Sequence, residues 1–104
     1  MSKPAIIAKI TAKDGQRDAL AALFGQVLDS VKADEPGTLV YVAHDDTKDE
    51  NVIWFYELYA DDAALAAHGG NSVMKSIGKD LGALMAGRPE ITILRTRAGK
   101  GLDV

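Results

Sequence analysis

At 104 residues, the chain has the length of one modest domain and can bury roughly two-thirds of its unfolded surface in a single core. Its composition is 47% hydrophobic and 26% charged, with no apolar run near the ~18 residues of a membrane span, and the stretch Pro4 to Ile10 is too short and too interrupted by Lys9 for a signal peptide; a cytoplasmic location and no membrane partner are expected. The absence of cysteine excludes disulfides, zinc–thiolate and iron–sulfur sites and a thiol nucleophile, and the net charge of −3 argues against nucleic acid as a partner.

Along the chain, Pro4 to Thr11 alternates and is rich in β-branched residues, as in a strand, and Asp14-Gly15 marks a turn. From Gln16 to Ala33, Leu20, Leu23, Phe24, Val27, Leu28 and Val31 recur at steps of three and four and share one helical face, with Asp14 as N-cap and Pro36-Gly37 as the stop. Thr38 to His44 and Asn51 to Ala60 form a second and third strand across a polar turn, which suggests a hairpin. Asp61 and Asp62 open a short helix, Ala63 to His68, that a left-handed Gly69-Gly70 ends. Asn71 caps a further helix from Ser72 to Ala86, weakened by Gly78 and Gly82, and Glu90 to Thr96 alternates as a fourth strand. The order β-α-β-β-α-α-β, without repeat or linker, is the ferredoxin-like α+β pattern, in which the helices cover one face of a four-stranded antiparallel sheet.

The third strand carries apolar residues on both faces. Val52, Trp54, Tyr56 and Leu58 point one way, and Ile53, Phe55, Glu57 and Tyr59 the other. A sheet with one wet face alternates apolar with polar instead, so a second copy is expected to pack on the row of Val52, Trp54, Tyr56 and Leu58, making the protein a homodimer.

Glu57 lies between Phe55 and Tyr59 on the opposite row, where burial raises a carboxyl's pKa unless it is paired, and His68 ends the short helix nearby. Such a pair serves either as a general base with its orienting carboxylate or as a structural hydrogen bond joining strand to helix. His44 beside Asp45 and Asp46 reads as a solvated turn rather than a metal site, and Gly69-Gly70-Asn71-Ser72 is the one candidate cradle for a phosphate. No nucleophile, dinucleotide or P-loop fingerprint is present, and no metal or cofactor is expected.

Glu35-Pro36-Gly37-Thr38-Leu39-x-Tyr41, Phe55-x-Glu57-x-Tyr59-x-Asp61 and Ala66-Ala67-His68 resemble the antibiotic biosynthesis monooxygenase family, including the quinol monooxygenases. The resemblance runs over nearly the whole chain and implies a dimeric α+β barrel spanning residues 1–104. It also implies a pocket between sheet and helices and a cofactor-free oxidation of a small aromatic quinol or anthrone by O2. Carried over, His68 is the base, Glu57 its orienter, and Phe55, Tyr59 and Tyr41 the pocket wall, to which Phe24 is added by its place on the apolar helical face. Haem-degrading relatives resemble one another in an Asn early in the first strand, a Trp ending the third and a later His. Ala8-Lys9-Ile10, Tyr59 and Gly78 stand at those places here, which disfavours haem. The alternative is a non-catalytic or isomerase-type dimeric module that binds a small, possibly phosphorylated, ligand.

Overall fold

Alternation and helical periodicity are resolved into eight elements in a computed structural model that describes residues 2–104. They are β1 (Pro4–Thr11), α1 (Arg17–Asp34), β2 (Thr38–Asp45), β3 (Val52–Tyr59), α2 (Asp62–Gly69), α3 (Ser72–Ser76), α4 (Gly78–Leu84) and β4 (Glu90–Arg95). The strands form one sheet in the order β2-β3-β1-β4, every neighbouring pair antiparallel, which is the ferredoxin-like α+β arrangement expected from the sequence. No helix among the described residues is long and apolar enough to cross a membrane.

The register divides the sheet into two faces. Ile6 pairs with Glu57, Ala8 with Phe55 and Ile10 with Ile53, and these face the helices; Ile7 pairs with Tyr56 and Lys9 with Trp54 on the outer side. From α1, Leu20, Phe24, Val27 and Val31 are buried against the inner face, and Ile77 and Leu81 from the α3–α4 segment join them. Each such side chain contributes about 1.5–3 kcal/mol when fully buried, so this one layer holds the helices to the sheet.

Three local expectations are corrected. The segment from Ser72 to Ala86 is two short helices, because Ile77 (φ −101°, ψ 5°) ends α3 and precedes α4. The low helix propensity of Gly78 and Gly82 lets the chain bend there so that Ile77 and Leu81 both reach the core. Asp14 does not cap α1; Gln16 occupies that position without a side-chain bond, while Asp14 accepts a hydrogen bond from Asn51 at 3.2 Å. Gly70 closes α2 with φ −94°, not in the left-handed region, and its N–H reaches the Ala67 carbonyl at 3.1 Å. The caps at Asp61 and Asn71 do form, each side chain accepting from the N–H three residues on, at 2.8 and 2.9 Å.

The outer row of β3 is less uniform than its alternation implies. Val52 and Leu58 are each only 1% exposed within the single chain. Trp54 is half-buried, donating its indole N–H to Asp46 at 2.8 Å with the Lys9 ammonium 5.7 Å from its ring. Backbone N–H groups of Asp49 and Lys48 and that indole hold the Asp46 carboxyl down at about 2. The outer apolar surface that stays open is spread over all four strands: Val42 is 43%, Ile7 38%, Leu94 37% and Tyr56 36% exposed.

Gly37, at the entry to β2, lies against α2. A Cβ there would stand 2.6 Å from that of Ala64, closer than two carbon atoms can pack. Ala60 also donates its N–H to the Gly37 carbonyl at 2.8 Å, fixing the start of α2 to the sheet. Gly37→Ala is therefore expected to lower stability by about 1–3 kcal/mol in chemical denaturation, since overpacking forces the helix outward; an unchanged midpoint would contradict this contact.

Candidate functional site

Between the inner face of the sheet and the helices lies a cavity of about 330 Å³. Its floor is Ile6, Ala8, Ile10 and Phe55, and its walls come from Phe24 on α1, Tyr41 on β2, Leu65 and His68 on α2, and Met74, Leu81 and Met85 beyond. The ionisable groups in the lining are Tyr41, Glu57 and His68; no Lys or Arg is among them. Rings pack in sequence around one wall: Phe24 and Phe55 centroids are 4.8 Å apart, Tyr41 and Phe55 5.4 Å, Tyr41 and His68 5.1 Å.

Glu57 reaches this place because the β3 register points it inward opposite Ile6 and Tyr41. It is buried, and Oε1 accepts the hydroxyl of Tyr59, two residues along on the same face. Burial raises the Glu57 pKa, partly offset by that hydroxyl and by His68 and reinforced by the charge of Glu35. Tyr59 is fully buried and does not line the cavity; it stands behind Glu57, where burial and the hydrogen bond to Glu57 raise its own pKa. Tyr41 does line the cavity, its phenol also raised by burial and by the charges of Glu57 and Glu35.

His68 sits in the last turn of α2 with its ring between Tyr41 and Tyr59. Nε2 lies 3.7 Å from Glu57 Oε1, so the expected pair is brought together, though beyond hydrogen-bond length. The carboxylate that His68 actually hydrogen-bonds is Glu35, whose Oε1 is 2.8 Å from Nδ1. Thr38 donates to the same oxygen at 2.8 Å, and Asn71 Nδ2 donates to Oε2 and to Ser30 Oγ, the latter at 3.2 Å. Burial alone would raise the Glu35 pKa, but the donors Asn71, Thr38 and His68 outweigh it and hold the group below the ordinary carboxylate range.

Glu35 is the residue that sequence reasoning quotes in a motif yet gives no role. Its place at the end of α1, next to Asp34, just before Pro36-Gly37 and 33 positions from His68, carries no periodicity, and nothing local distinguishes it from the neighbouring acidic residue. His44 is placed away from the cavity, with Nδ1 against the Trp54 carbonyl at 3.1 Å. The Asn71 cap occupies the start of α3, so the glycine-serine stretch does not present a free row of N–H groups.

The chain is thus a ferredoxin-like α+β protein with an apolar cavity in which one imidazole stands between two carboxyl groups. It belongs to the antibiotic biosynthesis monooxygenase family, whose model matches residues 5–79. Similar solved structures include a candidate antibiotic biosynthesis monooxygenase from Caulobacter crescentus (32% identity, TM-score 0.87, covering 93% of this chain and 92% of that one). Another from Chloroflexus aurantiacus is 28% identical, with TM-score 0.79 over 97% and 99% of the two chains. A protein from Pseudomonas aeruginosa is also 28% identical, with TM-score 0.83 over 94% and 97%. No curated protein matches the chain.

Proposed function

We propose that residues 1–104 act as one domain of a homodimeric, cofactor-independent monooxygenase that oxidises a small aromatic quinol- or anthrone-like substrate with O2 in the cavity above. The observation that carries this reading is the apolar, aromatic-walled space holding an imidazole and a carboxyl of raised pKa and no cation. An uncharged flat molecule with an acidic C–H or O–H fits such a wall, whereas a phosphorylated ligand would find no Lys or Arg in it. In the anthrone case, His68 takes a proton from the substrate, the resulting carbanion forms one C–O bond with O2, and the peroxide anion takes that proton back from the protein to become a hydroperoxide. Loss of the remaining proton on that carbon then breaks the O–O bond of the hydroperoxide, leaving a ketone and releasing water. The protein's part is to move protons and exclude water around the anion.

Oxygen uptake measured across a panel of quinols and anthrones is expected to reveal turnover that falls about 100-fold or more in His68→Ala, the scale of a lost general base. Absence of turnover across the panel, or full activity in a folded variant, would sink the proposal.

The homodimer is supported by the open outer face, where Val42, Tyr56 and Ile7 stand side by side on paired strands. Val52 and Leu58, already covered in one chain, add less to the interface than Trp54 and Tyr56. Val42→Lys with Tyr56→Lys would set two like charges opposite each other and at the contact of the two sheets. Light scattering should then give a particle of half the wild-type mass; an unchanged dimeric mass, or a wild-type monomer, excludes this interface.

A further inference from the structure

We infer that Glu35 is the positioning residue of His68, holding the imidazole in the tautomer that leaves Nε2 unprotonated toward the cavity, and that Glu57 serves as a second proton station rather than as the orienter. The inference deepens the proposed function and rests on reading the cavity as an acid–base site.

Glu35, held ionised by its donors, offers only acceptor atoms, so the Nδ1 lying 2.8 Å from Oε1 must carry a hydrogen. A neutral imidazole then has its one lone pair on Nε2. Thr38 and Asn71 occupy further lone pairs of the same carboxylate, so Glu35 cannot swing away without leaving buried donors unpaired. The groups facing His68 come from every element around it: Glu35 at the end of α1, Tyr41 on β2, and Glu57 and Tyr59 on β3, none of them cationic. Glu57 cannot orient the ring in the same way, because it sits on the cavity side of the ring, 3.7 Å from Nε2.

The step this permits is a single proton transfer. The substrate's O–H or C–H bond breaks, an Nε2–H bond forms, and the electron pair stays on the substrate. Glu35 steadies the imidazolium through Nδ1–H, as a buried carboxylate does in hydrolytic triads, and Glu57, ready to hold a proton, takes it from Nε2 afterwards.

The test is the tautomer itself, read by long-range 1H–15N correlation on protein carrying 15N-histidine, with His44→Gln assigning the two rings. The wild type should show Nδ1–H and an unprotonated Nε2 where His68 is neutral. Glu35→Gln should lose that preference in favour of Nε2–H, and Glu57→Gln should keep it. An Nε2–H tautomer in the wild type overturns the inference without any variant, as does a preference that survives Glu35→Gln and is lost in Glu57→Gln. With a substrate that turns over, Glu35→Gln should lower kcat at least about tenfold while KM stays within about twofold, and Glu35→Asp should restore part of it. The expected tautomer without any turnover upholds the role of Glu35 toward His68 and rejects the oxygenase reading. Turnover with the opposite tautomer rejects the role of Glu35 alone.

Discussion

One partly buried carboxylate, that of Glu35, ties together the parts of the molecule that enclose the cavity. It stands at the end of α1 and accepts hydrogen bonds from Thr38 at the start of β2, from His68 in α2 and from the Asn71 that caps α3. A charge partly removed from water is costly to leave without partners, so the three donors favour staying in place together. Geometry at the cavity wall is therefore set by a charge-satisfaction requirement as much as by apolar packing.

That requirement matters most for α2. This helix has no fully buried residue and only eight positions, too few to form by propensity alone, and only Ala64 and Leu65 pack partly against the core. Its position comes from the close approach of Gly37 to Ala64 at one end and from the His68–Glu35 bond at the other. In consequence the imidazole is aimed rather than free, with one nitrogen bound to the protein and the other turned to a space walled by aromatic and aliphatic side chains. Beside it in the same wall, β3 delivers Glu57 with Tyr59 behind it, so two proton-handling groups of different environment stand 3.7 Å apart on one side of the cavity.

Much of this was legible in the sequence wherever a repeating pattern encodes it. The alternation of Pro4 to Thr11 matches β1 to the residue, and the three-and-four spacing of Leu20, Phe24, Val27 and Val31 gives the buried face of α1. The inward row of β3 correctly put Glu57 among aromatic rings, and the approach of His68 to it followed from the short helix after the strand. What escaped depends on contacts between distant segments. Glu35 meets His68 across 33 positions, Tyr59 is screened from the cavity by its bond to Glu57, and Val52 and Leu58 are covered within the chain despite pointing to the outer face. The bend at Ile77 likewise reflects tertiary pull on a glycine-weakened helix, which no local pattern states.

The central claim is that this cavity, with His68 and Glu57 in its wall, is where the protein meets its small-molecule ligand. It is tested most directly by NMR titration with a redox-inert naphthol under anaerobic conditions. Saturable shifts at His68, Tyr41, Phe55 and Leu81 are the expected result. Shifts confined to the surface groove of Ser2, Asp61 and Arg95, or no saturable change at all, would contradict it.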